Sequence, residues 1–200
     1  MAHTPEDIWA EMRLHMEWSE GFSLCVLFSP GASATEQIVQ WADDAWAWRT
    51  APMTRLNPAQ ANGAARAVLN GLHQHQQRWG KLCAPVWVEM LSHDAVDGPA
   101  SWDMERTALM ALLNESREWL LREFSCPLVL CLPTTWALRV PTLAPDLWHV
   151  RSFTAEVAAA WPMPAVSANV QLTSPQSSEA SDAWSEQLTS LRQAVQVARD

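Results

Sequence analysis

Glu89, His93 and Asp94 are the residues whose types and spacing come nearest to acid–base chemistry. They follow one another at the end of the apolar run Pro85–Leu91, PVWVEML, and in the polar loop that runs on to Gly98-Pro99. A carboxylate, an imidazole and a second carboxylate within six positions could share a proton-transfer task. No nucleophile and no metal-ligand spacing accompany them, so the cluster reads first as a polar loop after a strand, with acid–base work as the lesser reading. His73 and His75 are two apart and cannot chelate as a helical i,i+4 pair would; they are expected to be solvated. Cys25, Cys126 and Cys131 fall in apolar runs, Cys83 lies just before one, and no C-x-x-C pair occurs. Buried free thiols are the expectation, with no metal and no cofactor.

These residues need elements to hold them. Phe22–Ser29, FSLCVLFS, is almost continuously apolar, the pattern of a strand buried on both faces. Pro30-Gly31-Ala32 turns the chain, and Ser33-Ala34-Thr35-Glu36 reads as a capping box opening a helix with Ile38, Trp41, Ala42, Ala45 and Trp48 on one stripe. A strand, a glycine turn and a helix are also the layout of a phosphate loop. That motif needs a second glycine and a lysine, both missing here, and Glu36 sets negative charge where phosphate would rest.

The remaining chain repeats the alternation. Thr4-Pro5-Glu6-Asp7 opens a first helix to about Trp18, with Ile8, Met12, His15 and Met16 on a common face. A weak strand is placed near Met53–Leu56 and a helix over Pro58–Trp79, which Gly63 and Gly71 weaken locally. The strand Pro85–Leu91 follows. Ser101 is expected to cap one long helix, Trp102 to about Phe124, with a surface pair Glu118–Arg122. Pro127–Leu132 and about Phe153–Val157 complete the strands, separated by a short helix begun at Thr134 or Thr135 and stopped by Pro141. This order predicts an α/β fold: a mostly parallel sheet of four to five strands flanked by helices, over residues 1–160.

Three segments of this region carry a resemblance. Leu113-Asn114-Glu115-Ser116-Arg117-Glu118 precedes Cys126-Pro127-Leu128-Val129-Leu130-Cys131-Leu132-Pro133, and Ala144-Pro145-Asp146-Leu147-Trp148-His149-Val150-Arg151-Ser152 follows. Together they resemble the N-terminal region of bacterial multidomain tetratricopeptide-repeat and STAND-type proteins, across about residues 85–157. The resemblance implies a P-loop-like or Rossmann-like module, often degenerate, in signalling or defence. Asn114, Arg117, Asp146, Trp148 and Arg151 fall on its motif; His149 stands where serine is usual. Arg151 could fork onto a carboxylate such as Asp146 or Glu118. Such residues either lock a crossover to a helix or form a ligand or partner surface.

Residues 161–181 are rich in Pro, Ser, Thr, Gln and Ala and read as a linker. In residues 182–200, Trp184, Leu188, Leu191, Val195 and Ala198 are spaced as a short coiled-coil seam. A helix of that length is marginal alone, so it is expected to dock on its own domain, a second copy or a partner.

Charge excludes other classes. The chain carries 13 Lys and Arg against 22 Asp and Glu, a net −9, which disfavours nucleic acid and anionic membranes. No stretch is apolar enough to span a bilayer, the first residues are acidic where a secretory signal is basic, and a cytoplasmic location is expected. The expected function is a non-enzymatic adaptor or recognition module of a bacterial signalling or defence complex. Its partner would be a protein, repeat-containing or STAND-type by the resemblance, with self-association through the C-terminal helix as an option. The alternative is a nucleotide- or small-ligand-sensing domain, or a hydrolase, using the carboxyl edge of the sheet.

Overall fold

A computed structural model describes residues 4–49, 51–91 and 98–158. The expected linker and C-terminal helix, with Trp184, Leu188, Leu191 and Val195, lie outside the described residues, as do His93 and Asp94.

The chain opens with α1 (Pro5–Glu17), where Thr4 and Asp7 cap each other's backbone N–H at 3.1 and 3.2 Å. It then alternates: β1 (Ser23–Ser29), α2 (Ala32–Trp46), β2 (Thr54–Leu56), α3 (Ala64–Trp79), β3 (Val86–Glu89) and α4 (Pro99–Glu115). After α5 (Arg117–Arg122) come β4 (Pro127–Pro133), a 3-10 turn over Thr134–Trp136, α6 (Val140–Leu143), α7 (Pro145–His149) and β5 (Arg151–Glu156). The five strands form one sheet in the order β2-β3-β4-β1-β5, and every pairing is parallel. This is the α/β fold expected, a Rossmann-like sheet with helices on both faces. Among the described residues no helix is long and apolar enough to cross a membrane.

Side-chain alternation builds two cores from the same strands. Cys25, Leu27, Trp87, Val129 and Cys131 pack against Ile8 and Met12 of α1 and Ile38, Val39 and Trp46 of α2. Leu24, Val26, Val88, Leu128 and Leu130 point the other way, toward Val68 and Leu72 of α3 and Trp102, Leu109 and Leu113 of α4. Because both sides are buried, β1 is buried at every position. Thus α2 covers one face as the chain travels from β1 to the edge strand β2, and later helices cover the other as it returns. β1 and β4 are neighbours whose onward connections leave on opposite faces, so their carboxyl ends flank a switch point, where ligands of open α/β sheets bind.

Several local expectations are corrected. The helix after β1 begins at Ala32, so Ser33 is already inside it and no capping box forms; Ser29 takes over the turn, its hydroxyl donating to the Gly31 carbonyl at 2.7 Å. Thr35 spends its own hydroxyl on the Ala32 carbonyl at 3.0 Å. Ser101 does not cap: α4 starts at Pro99, where proline's missing N–H costs nothing. The long helix breaks at Ser116, whose N–H bonds back to α4 while its carbonyl starts α5. α3 starts at Ala64, six residues later than Pro58, after Gly63 in a left-handed conformation at φ 77°. Trp48 does not join the buried stripe of α2 and is exposed. Pro141 lies in the first turn of α6 instead of ending a helix. Gly71 is a close approach: a Cβ there would come within 2.8 Å of Leu56, so the glycine lets β2 sit against α3.

Candidate functional site

The carboxyl edge of β3 is the place to look for chemistry, and the structure answers differently on its two faces. On the α2 face, Glu89 is 2% exposed. Its register partner in β4 is Cys131, and the Arg55 guanidinium of β2 stands 3.7 Å from its Oε2. Arg55 also reaches Asp43 of α2 at 3.8 Å. Burial raises the Asp43 pKa and Arg55 works against that rise. Glu89 Oε1 has no hydrogen-bond partner among the described residues. Glu89 is therefore a covered carboxylate balanced by Arg55. Burial holds the Cys131 thiol far above its usual pKa, and the charge of Glu89 adds to that.

On the opposite face lies a cluster that sequence reading did not find. Asp103, one turn into α4, accepts three hydrogen bonds. They come from Arg106 Nη1 at 3.0 Å, Trp136 Nε1 at 3.0 Å and Arg139 Nη1 at 2.9 Å. Arg106 is 4% exposed, and its Nε donates to the carbonyl of Met90, just past β3, at 2.6 Å. Arg139 lies over the Trp136 ring at 4.0 Å. Burial opposes the charge on Asp103, but the indole N–H and the two guanidiniums outweigh it and hold the carboxyl below its usual range. Two guanidiniums thus share one carboxylate. Arg106 Nη2 and Trp102 Nε1, both buried, lack acceptors among the described residues.

The motif residues meet elsewhere, around the C-terminal end of α4 and α7. Asn114 Oδ1 accepts the N–H of Leu147 at 3.0 Å, satisfying a free donor in the first turn of α7. Arg117 bonds Glu118 at 2.6 Å and stands 3.7 Å from Asp146; Glu118 also meets Arg122 at 3.4 Å. Arg151 does not fork onto Asp146 or Glu118. Its Nη1 donates to the Trp148 carbonyl at 2.7 Å and its guanidinium stacks 3.8 Å over the Trp148 ring. The local geometry explains this, since Arg151 lies three positions after Trp148, across the end of a short helix. Trp148 in turn faces Phe28 of β1, ring centroids 6.4 Å apart. Asn114 thus fastens α7 to α4, Arg117 draws it to α5, Trp148 packs it on β1 and Arg151 ties it to the start of β5, while the Glu118 pairs stay within α5.

The histidines also part company. His73 is exposed and stacks on Trp119 at 4.1 Å. His75 is buried, correcting its expected solvation. Its Nε2–H donates to the Ala84 carbonyl at 2.9 Å, which leaves Nδ1 to accept from the Thr54 hydroxyl at 2.9 Å. Burial lowers its pKa, opposed by the Ala84 bond, in keeping with this neutral form. Glu105 reaches from α4 to the N–H groups of Gly63 and Ala65 at 3.3 and 2.8 Å, capping α3 across the interface. Among the described residues no group of three or more His, Cys, Asp and Glu is placed to hold a metal ion.

Against known proteins, the chain matches no family model and no curated protein.

Proposed function

We propose that the chain is a non-enzymatic recognition or adaptor module acting through protein–protein contacts. The observation that carries this reading is a pair of exposed tryptophans. Trp18, just past α1, and Trp48, just past α2, are 80% and 78% exposed. They flank a charged frame: Arg49 bonds Glu17 at 3.0 Å, lies 5.4 Å from the Trp48 ring, and shares Glu17 with Arg13 at 3.1 Å. Indoles exposed to water beside an ordered arginine have the make-up of interface anchors. The polar groups at the carboxyl edge support the non-enzymatic part, because the Asp103 carboxylate is taken up by Arg106, Trp136 and Arg139 while Glu89 is buried beside Arg55 on the other face, so no base stands beside a nucleophile among them. The bacterial signalling or defence setting rests on the sequence resemblance. The 182–200 segment, with Trp184, Leu188, Leu191 and Val195, is a second contact element in this reading.

The test is capture of a repeat-containing or STAND-type protein encoded beside this chain. Trp18→Ala/Trp48→Ala and deletion of 182–200 should each abolish capture while circular dichroism stays native. Unchanged capture by both variants overturns the proposal. A second reading, ligand sensing at the carboxyl edge, is favoured by the open donors on Arg106 and Trp102. A nucleotide with Mg²⁺ at 100 times its Kd would add about 2.7 kcal/mol of stability, read as a rise in Tm.

A further inference from the structure

We propose, resting on the recognition role above, that the crevice between the end of α1 and the start of β5 seats the charged head of an arginine or lysine side chain brought by the protein partner. Glu11, Leu14, His15 and Trp18 recur at i, i+3, i+4 and i+7 and so form one stripe along α1. That stripe faces β5, where the His15 ring meets Phe153 with centroids 5.6 Å apart. β5 is an edge strand, and its pairing with β1 slips at this end. Leu24 faces Arg151 but Cys25 faces Phe153, which leaves Ser152 over as a bulge. Between the α1 stripe, Ser23 of β1 and Ser152 lies a crevice of about 380 Å³.

The chemistry of its lining selects the occupant. Ser23 is 3% exposed, and its hydroxyl has no hydrogen-bond partner among the described residues. A buried hydroxyl without a partner is costly, so a donor that reaches it gains what the free protein forgoes. Glu11 supplies negative charge on the same wall. The neighbouring cations are committed elsewhere. Arg13 and Arg49 meet Glu17 on the other flank of α1, and Arg151 donates to the Trp148 carbonyl. α1 also ends here, and the carbonyls of its last turn form the negative pole of the helix. An anion would be repelled by Glu11 and by that pole. A neutral apolar group would leave Ser23 unanswered. A cation on an apolar stem meets both demands, because Leu14 and Trp18, 53% and 80% exposed, offer cover for the methylenes and an indole face for the charge.

N-acetyl-arginine methylamide and N-acetyl-lysine methylamide are titrated into the full chain and followed by ¹H–¹⁵N NMR. The citrulline compound, which keeps the shape of arginine without its charge, serves as the comparison. Both basic compounds should shift the Ser23 amide and the Trp18 indole N–H saturably, and citrulline should bind about fivefold more weakly. Glu11→Gln should weaken the arginine compound about 2–5-fold, as loss of an exposed ion pair does. Ser23→Ala should weaken it about fivefold and leave Tm unchanged or higher, since the hydroxyl it removes is unpartnered in the free protein; a serine with a purely structural role would lose Tm instead. Equal binding of citrulline, or a titration that Glu11→Gln and Ser23→Ala leave untouched, would overturn the cation site. If Trp18→Ala/Trp48→Ala abolishes partner capture while neither basic compound shifts Ser23, the recognition role stands and the basic side chain falls. If capture also survives that variant and the 182–200 deletion, both fall. Binding of the compounds with capture intact in every variant would assign the crevice to a free organic cation and overturn the partner's side chain.

Discussion

Replacing Asp103 with alanine removes the one carboxylate shared by Arg106, Trp136 and Arg139. The cost can be assembled from the parts. Breaking a buried charge pair by deleting one partner costs about 3–5 kcal/mol. The Arg139 contact is half-exposed and adds less than ~1 kcal/mol. The Trp136 indole loses a bond worth ~1 kcal/mol. Against these, the Asp103 side chain is 44% exposed, so water can enter and solvate what is left. A net loss of about 3 kcal/mol follows. At ~2–4 °C per kcal/mol for a chain of this size, Tm falls by roughly 6–12 °C. Asp103→Asn keeps an acceptor for Trp136 but no charge and should lose about half as much. Acid adds a second readout. The folded pKa of Asp103 lies below its unfolded value, so its contribution is complete above about pH 4 and is lost as pH falls through the folded value. Urea unfolding followed by tryptophan fluorescence measures both effects. An alanine variant within ~1 kcal/mol of the parent, with an unchanged acid slope, would refute the reasoning.

Other expectations follow from single contacts. Asn114→Ala leaves the Leu147 N–H without its acceptor and should cost about 1–2 kcal/mol in urea unfolding, while Asn114→Asp retains most of that stability. His75 is held neutral, so its native form binds a proton less readily than the unfolded chain. Stability contributed by this residue is therefore full above pH ~6.5 and declines as pH falls toward the lowered folded pKa, which the His75 Cε1 resonance should report by NMR. A thiol reagent at pH 8 should modify Cys83 alone in the native protein. Cys25, Cys126 and Cys131 should react only on unfolding, and early labelling of Cys25 or Cys131 would contradict their burial. Thr4→Ala removes the hydroxyl that accepts the Asp7 N–H, keeps the backbone N–H that donates to the Asp7 carboxylate, and should cost ~1 kcal/mol, read as a lower urea midpoint.

What could be read from the sequence was what depends on neighbours in the chain. The runs around Val26, Val88 and Leu130 are apolar at every position because both faces of each strand are covered, and that signal is local. Thr4-Pro5-Glu6-Asp7 announces its helix for the same reason. The expectations that failed concern competition between nearby starts. Ser33 and Ser101 each head a plausible cap, yet the preceding Gly31 and Gly98 begin the helix first. The Asp103 cluster was hidden for a different reason. Its members come from α4 and from a turn about thirty residues later, and nothing within α4 distinguishes an aspartate that caps its own helix from one that bridges to Trp136 and Arg139. Glu105 shows the same limit, since its partners Gly63 and Ala65 lie about forty positions earlier. Hydrogen bonds of that span are set by which helices share a face, and the strand order decides that.

The strand order also fixes when the fold can close. β1 sits between β4 and β5, and Ser23 pairs with Pro127, about 100 residues later, a separation that makes closure slow. During synthesis at ~5–20 residues per second, the ribosome would spend roughly 5–20 s between completing β1 and delivering its first strand partner. Throughout that interval a seven-residue apolar segment has both hydrogen-bonding edges open. The α1–α2 pair can cover one of its faces in the meantime, through Ile8, Met12 and Ile38. On this account the early helices act as a shield for the nascent chain, and weakening the α1 contacts should lower the yield of soluble protein by more than it lowers the stability of the finished fold.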